Sequence, residues 1–274
     1  MPSVSMSDVV AAARPGGLGA FNVIALEHAE AIVGAAESAN RPVVLQLSEN
    51  TAKYHRGLRP VAAACLQIAA ASTAPVVVHL DHATSTELVH DAVAVGITSV
   101  MFDASTLPHA ENVAATAAVV GWCHARGVHV EAELGEVGGK DGVHAPGART
   151  DPAEAAAYVA ATGVDALAVA VGSSHAMTTR DARLDDELIA RLAAAVPVPL
   201  VLHGSSGVPD AGLVSAVRQG MLKINVATHL NVVMAAEVRA ALADPKVVDP
   251  RKYLGPGRDA VQAEVERLLR LLAG

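Results

Sequence analysis

Short apolar runs, separated by helix-like segments, form the main pattern along this chain. Eight runs have the length and the valine and leucine content expected of buried strands. They cover residues 20–24, 43–47, 76–80, 99–103, 129–134, 166–171, 199–203 and 223–226. Because a helix-like segment follows each run, the pattern predicts repeated parallel βα units.

The segment after residue 150 shows most clearly how the intervening helices begin and end. Asp151 is a predicted N-cap, Pro152 stands at the first helical position, Glu154 lies at N3, and Gly163 closes the helix. Eight such units predict an α/β fold of the (β/α)8 TIM-barrel type, in a single domain with a C-terminal helical extension over about 244–274. The extension is expected to end in an amphipathic helix over 259–272. Counting strands leaves an open doubly wound sheet as the alternative.

Composition agrees with one large core. The chain has 274 residues, of which 52% are hydrophobic and 18% charged, and a barrel of this type typically needs about 250 residues. The net charge of −8 argues against a nucleic-acid surface. Two cysteines indicate no disulfide framework, and neither a signal sequence nor a membrane span is evident, so we expect a cytoplasmic protein without a membrane partner.

Three of the apolar runs lead to a histidine. His82, His175 and His203 follow the third, sixth and seventh runs, and the C-terminal ends of the strands of a barrel surround its active site. Three imidazoles with an open fourth position are a catalytic zinc arrangement. A lone histidine is more often a surface or hydrogen-bonded residue, but three at equivalent strand ends favour the zinc site.

Acidic residues stand at similar positions. Asp81 precedes His82 and could transfer a proton to or from a metal-polarised substrate, although a helix N-cap or a histidine-orienting role is the alternative. Asp103 and Glu133 end the fourth and fifth runs. We interpret these two as groups that orient the metal ligands or form an alternative metal position, with a purely structural role left open.

The last two runs end in small and hydroxyl-bearing residues. The loops after strands seven and eight of such barrels commonly bind phosphate through backbone N–H groups and hydroxyls. The candidate residues are Gly204, Ser205, Ser206, Asn225, Val226, Ala227 and Thr228. A small phosphorylated substrate is therefore predicted beside the histidines.

Several of these motifs together resemble the class II, zinc-dependent ketose-bisphosphate aldolases, which cleave fructose or tagatose 1,6-bisphosphate. Their order and spacing agree from about residue 21 to the end. The motifs are Phe21-Asn22-Val23, His79-Leu80-Asp81-His82, Glu131-Ala132-Glu133-Leu134-Gly135, Gly172-Ser173-Ser174-His175, His203-Gly204-Ser205-Ser206, Asn225-Val226-Ala227-Thr228 and Asp249-Pro250-Arg251-Lys252-Tyr253.

The resemblance implies a TIM barrel in which zinc is held by His82, His175 and His203 and Asp81 is the proton donor. It also implies that dihydroxyacetone phosphate is bound by the loops after strands seven and eight. A monovalent cation, Na⁺ or K⁺, is expected nearby, and the chain is expected to form a homodimer or homotetramer. The implied reaction is reversible cleavage of fructose 1,6-bisphosphate, with the tagatose epimer or another ketose phosphate as the alternative.

The chain departs from the family pattern in three places. Ala176 and Met177 follow the second histidine, where the family usually has glycine and an aromatic residue, and His229 follows Thr228, where acidic residues are common. The long glycine-rich stretch between residues 134 and 150 is predicted to be a mobile active-site loop, with an ordinary connection as the alternative. Many members carry a glutamate base in that loop; here Asp141 is the candidate.

Other chemistries fit less well. A Schiff-base aldolase needs a lysine near the strand ends, but Lys223 stands at the beginning of the eighth run. Another zinc barrel enzyme would explain the histidines, yet such enzymes more typically carry a His-x-His pair on the first strand. A non-catalytic sugar-phosphate-binding protein would have no need for Asp81 together with three histidines.

Overall fold

A computed structural model describes residues 4–134, 149–174 and 178–274. Eight parallel strands close into a barrel in sequence order, with β1 hydrogen-bonded to β8. The strands are β1 Leu18–Asn22, β2 Val43–Ser48, β3 Val76–Ala83, β4 Ser99–Phe102, β5 His129–Glu133, β6 Ala166–Ala168, β7 Leu200–Leu202 and β8 Met221–Val226. The predicted TIM barrel is therefore confirmed, and the open sheet is excluded.

Helices pack around the barrel. In the described residues they are α1 Met6–Ala13, α2 Leu26–Ala39, α3 Glu49–Tyr54, α4 Arg59–Ala71, α5 Thr86–Ala94, α6 His109–His124, α7 Pro152–Thr162, α8 Asp186–Ala195, α9 Asp210–Gln219, α10 Thr228–Ala241 and α11 Pro250–Ala273. All of them except α1 contribute apolar side chains to one extensive core cluster with the strands. The buried residues of α1 form a second cluster with residues of β1, β2 and β3. None of these helices is both long and apolar enough to cross a membrane.

The predicted cap of α7 is present. The Asp151 carboxylate accepts hydrogen bonds from the backbone N–H groups of Ala153 and Glu154, which have no partner within the helix. Gly163 ends the helix with a φ of 73°, a left-handed conformation that costs glycine little. Local sequence signals were sufficient to predict both ends of this helix.

The C-terminal helix was predicted too short. It begins at Pro250 rather than at residue 259, because Asp249 caps it by accepting from the Arg251 N–H and Pro250 stands at its first position. The helix then continues through Pro256. Its buried valine and leucine side chains belong to the main core cluster, and it packs against α2 and α10.

Strand ends also differ from the sequence prediction. β3 continues beyond residue 80 to Ala83, with a break in its register against β4 between Leu80 and Ala83. β8 begins at Met221, so that Lys223 is inside the strand and buried. Both differences place a buried polar side chain, Asp81 in β3 and Lys223 in β8, inside a strand.

Candidate active site

The end of β3 brings Asp81 and His82 into one cavity. Consecutive side chains of a regular strand point to opposite faces, but His82 has a left-handed backbone with a φ of 51°, at the register break. Both residues therefore line a cavity of about 710 Å³ at the C-terminal end of the barrel. Such a backbone conformation is uncommon for residues other than glycine, and strained backbone of this kind clusters at functional sites.

The Asp81 carboxylate is buried and held by two amides. Asn22 Nδ2 donates to Oδ2 over 3.2 Å, and Gln46 Nε2 donates to Oδ1 over 2.8 Å. Burial alone would raise the pKa of Asp81, but the charges of the neighbouring histidines and Lys223 lower it below its ordinary value. The carboxylate is thus ionised at neutral pH and able to accept a proton.

His82 is oriented by Asp103 on the next strand end. Its Nδ1 lies 2.8 Å from Asp103 Oδ2, while Ser105 donates to the other carboxylate oxygen through its backbone N–H and its hydroxyl. A carboxylate that binds one ring nitrogen directs the other nitrogen of a histidine toward a metal. Burial opposes the charge of His82, but Asp81 and Asp103 raise its pKa to about 10.

Glu133 lies next to this pair. Ligand atoms of His82, Asp103 and Glu133 all lie within 4.8 Å of one another, so the expected alternative metal position has the necessary donors. Burial, together with the charge of Asp103, raises the pKa of the Glu133 carboxyl to about 8. Burial and the neighbouring carboxylates therefore favour the protonated form of Glu133 in this arrangement.

His203 approaches from β7. Its ring centroid lies 4.8 Å from that of His82, and the ligand atoms of Asp81, His82 and His203 lie within 4.8 Å of one another. His203 Nε2 is 3.1 Å from Glu131 Oε1, and Lys223 Nζ donates to the other oxygen of Glu131 over 2.7 Å. Burial alone would raise the pKa of Glu131, but the Lys223 ammonium holds it well below its usual range.

The backbone after His203 passes very close to the segment that leads to residue 175. Gly204 has a φ of 68°, and a Cβ there would lie 2.6 Å from the carbonyl oxygen of Ser174. The Ser173 hydroxyl also donates to the His203 carbonyl over 2.6 Å. His175, the third expected ligand, and Asp141, the expected loop base, lie outside the described residues.

The candidate phosphate-binding loops meet beside these groups. Ser206 Oγ accepts from the backbone N–H groups of Ala227 and His229, each over 3.2 Å, and so caps α10, for which Ala227 has no capping side chain. Gly204, Ser206, Asn225, Ala227 and Thr228 line the cavity. The Ser205 hydroxyl instead donates to the Leu202 carbonyl, and the Val226 side chain is part of the core.

Sequence reasoning missed four side chains of this site. Asn22 and Gln46 hold Asp81, Glu131 contacts His203, and Lys223 holds Glu131. Each is a polar residue within an apolar strand, which is the one signal that could have identified it. A Schiff-base mechanism would require Lys223 to reach the cavity. Lys223 is not among the described residues that line the cavity.

Sequence comparisons with known proteins indicate the family of this chain. A family model described as "Fructose-bisphosphate aldolase class-II" matches residues 4–274. The fructose-bisphosphate aldolase of Staphylococcus epidermidis is 42% identical over 277 residues, covering 98% of this chain and 97% of the relative. That of Staphylococcus aureus is 41% identical over 273 residues, covering 97% of this chain and 96% of the relative.

A solved structure gives the same result. The crystal structure of the YdjI aldolase from Escherichia coli K12 superposes with a TM-score of 0.83 at 31% identity, over 97% of this chain and 94% of that one. The eight-stranded barrel and the donor cluster at its C-terminal end agree with the match along the whole chain. The chain belongs to the class II fructose-bisphosphate aldolase family, whose members are lyases.

Proposed function

We propose that this protein cleaves fructose 1,6-bisphosphate reversibly to dihydroxyacetone phosphate and glyceraldehyde 3-phosphate, with zinc as its metal. One observation carries the proposal: Asp81 and His82, which form a donor cluster with His203, line the same cavity as the start of α10 and the Ser206 loop. A metal-binding set beside a phosphate-binding set is what a phosphorylated ketose requires.

The donor set suits zinc. Once their metal-facing nitrogens are deprotonated, His82 and His203, each with a carboxylate on its other nitrogen, would be typical zinc ligands with their supporting groups. We expect His175 to be the third ligand. A zinc ion bound here would supply Lewis-acid polarisation of the substrate carbonyl. Na⁺ or K⁺ near the phosphate, and a dimeric or tetrameric assembly, are further parts of the proposal.

Asp81 supplies the proton transfer. The C3–C4 bond breaks when the hydroxyl on C4 loses its proton, and the ionised Asp81 carboxylate is the base that takes it. Asn22 and Gln46 keep the carboxylate in one orientation while it does so. The carbon that was C3 must then take up a proton, and we expect Asp141 to deliver it.

The phosphate is expected to bind at the start of α10. Backbone N–H groups at a helix N-terminus favour anions, and here Ser206 Oγ already accepts from two of them. A phosphate oxygen can occupy the same kind of position and can also accept from the Ser206 hydroxyl. Gly204, Ser205, Asn225, Val226, Ala227 and Thr228 complete the proposed site.

The test is to measure cleavage of fructose 1,6-bisphosphate and of its tagatose epimer after chelation and after zinc is added back. We expect the chelator to abolish fructose 1,6-bisphosphate cleavage and zinc to restore it. Faster cleavage of the tagatose epimer would assign that substrate instead. Activity that survives complete metal removal would contradict the zinc mechanism.

A further inference from the structure

The interior of the barrel holds a charged pair that the proposed proton transfer does not use. Lys223 on β8 donates to Glu131 Oε2 on β5 over 2.7 Å, and both side chains are almost fully buried. Barrels of this type usually fill their interior with layers of branched apolar side chains. The Lys223–Glu131 pair therefore calls for an explanation other than filling space.

Stability does not supply that explanation. Moving two charges out of water is unfavourable, and replacing a buried ion pair with apolar residues of similar volume is often neutral or stabilising. Leucine and methionine are close in size to Glu131 and Lys223 and could occupy the same space. What such a pair could not do is accept a hydrogen bond.

The second oxygen of Glu131 is directed at a proposed metal ligand. Oε1 lies 3.1 Å from His203 Nε2. Because an ionised carboxylate can only accept hydrogen bonds, Nε2 must carry the hydrogen, and Nδ1 is then the nitrogen with which His203 can bind a metal. His82 has the reverse arrangement, since its Nδ1 faces Asp103. The two histidines would therefore offer different ring nitrogens to one ion.

Other neighbours do not account for the placement of Glu131. His79 Nε2 is 3.9 Å from Glu131 Oε2, which is too long for a hydrogen bond. The other ring nitrogen of His79, Nδ1, lies 2.8 Å from Ser99 Oγ. Among the described residues, the short contacts of the Glu131 carboxylate are those with Lys223 and His203, which approach its two different oxygens.

We propose that Glu131, held in place by Lys223, is a positioning residue that sets the tautomer and ring orientation of His203, so that Nδ1 binds the metal. The inference rests on the zinc site of the proposed function. Lys223 keeps Oε2 occupied, so the carboxylate has one fixed orientation and Oε1 stays on the His203 ring. Loss of such a carboxylate partner typically lowers metal affinity about 10- to 100-fold.

The first variant is Glu131→Gln. Glutamine has the same shape, but its amide oxygen is expected to turn to Lys223, which leaves its NH2 group facing His203 Nε2. That arrangement favours the opposite tautomer, with the hydrogen on Nδ1. We expect the dissociation constant of zinc, measured by competition with a chelator, to rise about tenfold or more. Glu37→Gln is the matched control, since Glu37 accepts bonds only from Ser72 and Thr73 in the described structure.

A second variant separates positioning from folding. In Glu131→Leu/Lys223→Met no charge remains unpaired, although the His203 Nε2–H group loses its acceptor, so we expect the metal-free protein to stay folded and to unfold close to the wild-type temperature. Its zinc affinity should nevertheless fall as in Glu131→Gln. In zinc-loaded wild type, ¹⁵N NMR of the His203 ring should show a protonated Nε2 and a metal-bound Nδ1.

Two results would overturn the inference: zinc affinity within twofold of wild type in both variants, or a metal-bound Nε2 in the wild-type spectrum. Failure of the proposed function looks different. In that case wild type binds no zinc, or His203→Ala binds zinc as tightly as wild type does. These comparisons measure binding alone and need no substrate.

Discussion

Replacing Asp81 with asparagine removes the proposed base and changes little else in the cavity. Asparagine has nearly the same volume and keeps one oxygen that can accept from Gln46 or Asn22. Its NH2 group meets a second donor, however, so one of the two hydrogen bonds to residue 81 is lost. An unsatisfied buried group of this kind costs about 1–3 kcal/mol, which a folded barrel should survive.

The larger effect is expected on turnover. General-base catalysis typically contributes about 10²- to 10⁴-fold, or about 3–5 kcal/mol of activation free energy. We expect kcat for fructose 1,6-bisphosphate to fall by that factor while KM changes little, because Asp81 lies outside the Ser206 loop and the start of α10, where the phosphate is expected to bind. A coupled assay of dihydroxyacetone phosphate formation measures both constants.

Metal content decides how a loss of activity is interpreted. Asp81 lies in the same donor cluster as His82 and His203, so its carboxylate could bind the ion directly. If Asp81→Asn keeps its zinc and loses turnover, the residue is the base. If the variant loses zinc in proportion to its activity, or if it retains more than about a tenth of wild-type kcat, the assignment of Asp81 as general base is refuted.

Three further changes test the surroundings of the site. Asp103→Asn removes the carboxylate that orients His82, and we expect zinc affinity to fall about 10- to 100-fold in a chelator competition. Ser206→Ala removes the cap of α10, so thermal unfolding should show a loss of about 1 kcal/mol and KM for the substrate should rise. In metal-free protein the pKa of Glu133 is raised to about 8 from the ordinary value of 4.5. Between these two pH values the folded state keeps a proton that the unfolded state has released. Stability should therefore fall as pH rises from about 4.5 to about 8, and Glu133→Gln should flatten this dependence in thermal melts across that range.

Much of the fold could be predicted because its signals are local. An apolar run followed by a capped helix needs only a few neighbouring residues, and Asp151, Pro152 and Gly163 have the roles in the structure that the sequence predicted for them. The terminal helix shows where this approach fails. It was expected over 259–272, yet it begins at Pro250 and continues through Pro256, and the packing of Gly257 close against Met234 is a contact that no local pattern reveals.

The sequence alone was sufficient to place Asp81, His82, His203 and Gly204 at strand ends, because the ends of parallel strands in a barrel must meet at one face. Only the tertiary structure decided which atoms touch. Glu131 and Lys223 are far apart in the chain and become partners only when β8 closes the barrel against β1. Strand periodicity is a property of neighbouring residues, whereas the pairing of an oxygen with a nitrogen depends on the closure and register of all eight strands.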